Sequence, residues 1–176
     1  MSRVAFSRAL LAPAQAATWH EAGREYAMRC LVANPTFGES VYQAGDRLTA
    51  NALAVLPGDL VPCMVFAAAH TGALVQGRGP GAALDLADVT PLLEAAQRLD
   101  PSAEAALAAW AKSTEAFAKG NLVDARAAAR RAVDLEPGLD FYRHEALAKF
   151  PDLVNLPVGA DAEWVLENAA GQLPPD

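Results

Sequence analysis

The residues in this 176-residue chain whose types could support chemistry are few. They are three histidines, His20, His70 and His144, and two cysteines, Cys30 and Cys63. His70 follows Cys63 by seven residues, two helical turns on the same face. A cysteine and a histidine so placed could share a metal ion, but a closed zinc site needs four ligands, and no zinc-binding spacing supplies the others. Cys30, Cys63 and His70 are therefore the alternative pocket for a metal or cofactor, while the expected state of His70 is a packed, hydrogen-bonded side chain. Both cysteines lie in apolar helical contexts. They are read as buried free thiols, with a disulfide as the alternative. His20 falls on the polar face of its predicted helix. His144 stands in "FYRHE", Phe141 to Glu145, where Tyr142, Arg143 and His144 are adjacent. Neighbouring helical residues diverge by about 100°, so adjacency alone makes no site, and the cluster reads either as surface packing or as a ligand contact.

No catalytic constellation emerges. "GRGPG", Gly77 to Gly81, has no strand before it and no Lys-Ser/Thr after it, so it is not a phosphate cradle. Gly-x-Ser-x-Gly is absent, and no carboxylate sits in an apolar setting that would raise its pKa. The net charge of −7 argues against a general nucleic-acid binder, which needs a basic face. Arg126, Arg130 and Arg131 cluster, but among Asp124, Asp134 and Glu136, as a solvated helix face. The longest apolar run, Leu60 to Ala69, is half the length of a membrane span. The N-terminus carries an early arginine and Ala-Gln-Ala, an echo of a secretory signal, but Ser7 and Arg8 interrupt its apolar segment. A cytoplasmic protein with nothing trimmed from Met1 is the expectation.

The elements that must position these residues are helices. Hydrophobic residues make up 53% of the chain but aromatics only 7%. Alanine supplies most of the difference, and it is the strongest helix former. The sequence predicts helical stretches over residues 3–12, stopped or kinked at Pro13, then 14–33, 36–55, 59–76, 90–99, 102–118, 121–135, 140–149 and 162–170: a single all-α domain of about eight helices. In the second, Trp19, Gly23, Tyr26, Ala27 and Cys30 form the apolar stripe. The third opens with the capping-box pattern Thr36 to Glu39 and carries Phe37, Val41, Gly45, Leu48, Ala52 and Val55 on one face. The fourth is apolar nearly all round and is the most buried.

Two segments share a pattern. "AAQRLDPS" (Ala95 to Ser102) and "AAARRAVDLEPG" (Ala127 to Gly138) are both alanine-rich helix ends closed by an acidic residue and proline, with Pro101 and Pro137 36 residues apart. "RCLVANP" (Arg29 to Pro35) is a third, weaker copy. Periods in this range mark stacked helix pairs. The unit Ala106 to Gly138 resembles the tetratricopeptide repeat (TPR), a helix pair of about 34 residues. Gly120 takes the place of its turn glycine, Ala125 and Ala132 of its small second-helix residues, and Pro137 of its terminal proline. Trp110 and Phe117 fit its two aromatic positions if one residue is deleted before Gly120. Ser113-Thr114 stands where that family has Leu-Gly, and Ala129 where it often has an aromatic. The resemblance implies stacked antiparallel helix pairs, an α-solenoid whose concave groove binds a protein or peptide segment, as an adaptor, chaperone or assembly factor. The groove positions would be Lys112, Glu115 and Lys119, then Tyr142, Arg143 and His144, holding an acidic or carboxylate-ended segment. No cofactor is expected. The alternative is a small helical cofactor- or metal-binding protein, or an accessory subunit of an enzyme complex. Short arrays expose apolar end faces unless capped; the last helix, with Trp164, Val165 and Leu166, is the candidate cap, and without one a homodimer is expected.

Overall fold

The computed structural model describes residues 1–45, 48–78 and 86–153. Among them the chain is all helical, without a strand. In order the α-helices are α1 (Ser2–Leu11), α2 (Ala16–Val32), α3 (Pro35–Gln43), α4 (Ala50–Ala54), α5 (Val61–Arg78), α6 (Val89–Leu99), α7 (Ala105–Ala118), α8 (Leu122–Leu135) and α9 (Asp140–Lys149). The candidate cap helix at 162–170 and residues 79–81 of the glycine-rich stretch lie outside the described residues; Gly77 and Arg78 continue α5.

Local chemistry sets most helix ends. Pro13 follows α1 within two residues because its ring cannot sit inside a helix. Asn34 ends α2 and starts α3: its side chain accepts the Phe37 N–H at 3.1 Å, and Pro35 occupies the first turn. The cap is thus Asn34, not Thr36. The expected single helix to Val55 is broken. Gly45 has φ +66°, a left-handed conformation that closes α3, and Thr49 then caps α4 by accepting the Ala52 N–H at 3.2 Å. Phe37, Val41, Leu48 and Ala52 are all buried despite the break, since the two short helices keep one apolar side inward.

α5 is the axis of the fold. Met64, Val65, Ala67, Ala68, Ala69 and His70 are all buried, and α1, α2, α6 and α7 pack against it. Its all-round apolar surface is used on every side. The stretch Gly58–Gln76 is long and apolar enough by composition to cross a membrane, with mean hydropathy 1.4, and 67% of it is buried inside the protein. The ten-residue run read from the sequence understated it, because the helix turns apolar again at Ala73, Leu74 and Val75.

α7 and α8 form an antiparallel hairpin. Gly120 turns the chain with φ +76°, and Asn121 caps α8 by accepting the Asp124 N–H at 3.3 Å. Ala111 and Ala125 are fully buried, and the Ser113 hydroxyl of α7 donates to the Ala125 carbonyl of α8 at 2.8 Å. Small side chains let the backbones approach this closely. On its other side α7 meets α5, where Gly72 lies against Thr114.

Cys30 of α2 and Cys63 of α5 are joined by a disulfide, with Cα atoms 6.2 Å apart. The free-thiol expectation is corrected. α2 and α5 lie side by side, and their packing brings two half-buried cysteines, 33 residues apart, into bonding range.

Candidate functional site

The six expected groove residues do not share one open face. Lys112 on α7 and Lys119 at its C-cap are exposed, but Glu115 is buried. Its Oε1 accepts from Lys119 Nζ at 2.6 Å and from the Thr90 hydroxyl of α6. Glu115 therefore ties α7 to α6 and is not free for a partner. Tyr142 is also buried, and desolvation, aided by Glu136 and Glu104, pushes its phenol pKa up. With Ala146 it makes the inward face of α9. His144 is exposed and its Nε2 lies 2.8 Å from Asp140 Oδ2; Arg143 Nη1 is 3.8 Å from the other oxygen. Arg143 and His144 thus pair with Asp140 in α9's own first turn.

Lys112 opens instead onto a cleft of about 350 Å³ between α6, α7 and α8. Alanines 96, 105, 108, 109, 127 and 128 line it together with Val65 of α5. Four charged side chains rim it: Lys112, Arg131, Asp100 and Asp124. The two acids are already engaged. Asp100 Oδ1 accepts from Ser102 N, Ser102 Oγ and Ala103 N at 2.9, 2.6 and 3.2 Å, and these bonds, Ser102's first, hold its carboxyl pKa down. Asp124 Oδ2 accepts from Asn121 at 2.6 Å. Among the described residues Lys112 and Arg131 make no ion pair or side-chain hydrogen bond. Among the described residues the rim thus places two unpaired cations above a floor of small side chains. Arg131 was read from the sequence as part of a solvated face; only the approach of α8 to α7 sets it beside Lys112.

A second cleft, about 680 Å³, lies between α1, α2, α5, α7 and α9. Phe6 is its centre, with ring contacts to His20, Phe66, His70, Trp110 and Phe141 at centroid distances of 5.5 to 6.2 Å. The two imidazoles meet, with Nδ1 atoms 3.0 Å apart, and His70 Nε2 lies 3.3 Å from the Ser2 carbonyl. His20 is therefore buried, not on a polar face. The inward residues of α2 are His20, Gly23, Ala27 and Leu31. The sequence signal was the Gly23–Ala27 pair of small residues, which marks where another helix comes close; centring the stripe on that pair brings His20 inside. Glu145 of α9 also lines this cleft and holds Trp110 Nε1 at 3.4 Å and Lys149 Nζ at 3.2 Å. Burial lowers the Lys149 pKa, with Glu145 opposing.

His70 is packed and hydrogen-bonded as expected, but its first partner is His20. The pocket of Cys30, Cys63 and His70 cannot act through thiolates, because both sulfurs are spent on each other. Among the described residues no group of three or more His, Cys, Asp or Glu side chains is placed to hold a metal ion.

Burial lowers the His70 pKa from 6.5 to about 4, with His20 adding to the fall and the Ser2 hydrogen bond opposing it. His20 is lowered too, by burial, against the pull of Glu145. The consequence for stability has a definite sign. Above pH 6.5 His70 is neutral both folded and unfolded. Below it, the unfolded chain takes up a proton that the folded one refuses until about pH 4. Stability is thus full above pH 6.5 and falls as the pH drops toward 4, by about 3 kcal/mol from His70. Urea unfolding at pH 7.5 and 4.5, on wild type and His70→Gln, measures this. The wild type should lose markedly more than the variant; parallel losses would place the effect elsewhere.

No family model, curated protein or solved structure matches the chain.

Proposed function

We propose that the chain is a protein- or peptide-binding module of stacked helix pairs, serving as an adaptor, chaperone or assembly factor. The cleft between α6, α7 and α8 is its binding surface, and an acidic or carboxylate-ended segment is its ligand. The observation that carries this reading is the pair of cations Lys112 and Arg131, unpaired among the described residues, over an alanine-lined depression. A carboxylate there gains charge-assisted hydrogen bonds without displacing an internal partner, and small floor residues leave room for the backbone of an extended segment. The TPR-like pattern from Ala106 to Gly138 supports the same reading, since its helix pair, α7 and α8, forms two walls of the cleft. The disulfide adds a place of action: such bonds persist in oxidising compartments, not in a reducing cytoplasm.

Selection from a random heptapeptide library with free C-termini tests this. Wild-type protein should enrich peptides with acidic residues near the C-terminus. Lys112→Ala/Arg131→Ala should bind them at least tenfold more weakly, a loss of about 1.4 kcal/mol or more, and affinity should fall with added salt. No enrichment, or equal capture by the double variant, would overturn the proposal.

A further inference from the structure

The tautomers of the buried histidine pair follow from their partners. The Ser2 carbonyl can only accept, so the hydrogen bond from His70 Nε2 requires the proton there. Neutral His70 then has a bare Nδ1, which must accept. The 3.0 Å contact therefore runs from His20 Nδ1–H to His70 Nδ1. This leaves His20 Nε2 as a bare acceptor, with no hydrogen-bond partner among the described residues. His20 lines the larger cleft, and its Nδ1 is taken up by the contact with His70. The ring is held at one end by a two-histidine relay to the Ser2 backbone and presents its open end to the cleft.

The rest of the cleft restricts what can bind. Its walls are Phe6, Trp110 and Phe141 with Leu10, which suit a flat apolar body. Glu145 is matched by Lys149 and Trp110, so the cleft does not call for a cation, and an anion would meet that carboxylate. What the cleft lacks is a neutral donor opposite His20. We propose that this cleft binds a flat, neutral, apolar molecule carrying one hydrogen-bond donor, a phenol-type hydroxyl or an equivalent N–H, with the donor on His20 Nε2. This site is separate from the Lys112 and Arg131 cleft, and neither depends on the other.

The experiment uses 2-naphthol, 2-methoxynaphthalene and 2-naphthoate, titrated into the intact protein at pH 7.5 and followed by fluorescence. The naphthol should bind at least tenfold more tightly than the ether, which keeps the shape and loses the donor, and than the anion. His20→Phe should weaken naphthol binding at least tenfold and leave the ether unchanged. Because His20 is in the core, Ala17→Trp is the companion variant; Ala17 is exposed at the cleft's edge, and the indole should block naphthol without disturbing the fold. Equal affinity for naphthol and ether, a preference for naphthoate, or naphthol binding unaffected by Ala17→Trp would each overturn the assignment.

Discussion

Replacing both Cys30 and Cys63 by alanine is expected to lower the unfolding free energy by about 3–4 kcal/mol. The cross-link joins positions 33 residues apart. In the chain-entropy account, closing a loop of that length removes about 12 cal/mol/K from the unfolded ensemble, which is the quoted energy at room temperature. Domains of this size are stable by about 5–15 kcal/mol, so this one bond is a large share of the total. Urea unfolding of the double variant should show a lower midpoint. Wild type in excess dithiothreitol should shift to the same value, since both treatments leave the unfolded chain unconstrained. The melting temperature should fall by roughly 10 °C. A change under 1 kcal/mol by both routes would mean that native packing alone sets the distance between these helices.

Gly23→Ala is the second large effect, and its sign opposes ordinary helix chemistry. In an exposed helix interior, glycine to alanine stabilises by about 1 kcal/mol. Gly23 lies within α2, yet a Cβ there would come within 2.2 Å of His70 Cε1 and Nε2 and 2.8 Å of Nδ1. The ring cannot step aside. It is held by His20 on one nitrogen and the Ser2 carbonyl on the other, and packed edge-on against Phe6. Either α2 must move away from α5, or the histidine pair must break and leave a buried donor unpaired. The Ser2 hydroxyl also donates to the Gly23 carbonyl at 2.9 Å, so displacement of α2 would loosen α1 as well. We expect a net loss of about 3 kcal/mol, at the upper end for overpacking, with weaker pH dependence because the His70 environment opens. Chemical unfolding at pH 7.5 and pH 4.5 measures both. A variant as stable as wild type would show that the close contact of α2 with His70 is not maintained in solution.

The same two positions show what a linear reading can and cannot find. Gly23 stood out in the chain as a small residue on an apolar stripe, but nothing near it in sequence says that a histidine 47 residues later presses on it. Phe37 and Val41 were placed correctly in the core by their spacing, even though the helix that carries them ends at Gln43 and not at Val55. Glu115 and Tyr142 were misjudged as open groove residues for a related reason. Helical spacing identifies a face, but whether that face meets solvent depends on which neighbour covers it. For Glu115 the neighbour is α6, through Thr90; for Tyr142 it is the interior against which α9 turns Ala146. Lys112 was legible as an exposed cation, while its companion was sought on α9 and lies on α8.

By itself the chain determined that this protein is helical and where most of its helices stop, because proline, glycine, asparagine caps and apolar periodicity act over three or four residues and need no distant partner. Tertiary packing decided that Cys30 bonds Cys63, that His20 turns inward to His70, and that two clefts form, one lined by Lys112 and Arg131 and the other by His20. These arrangements depend on the separations and crossings of whole helices. Such geometry is set by the sum of many side-chain contacts across the core and is not encoded at any one position.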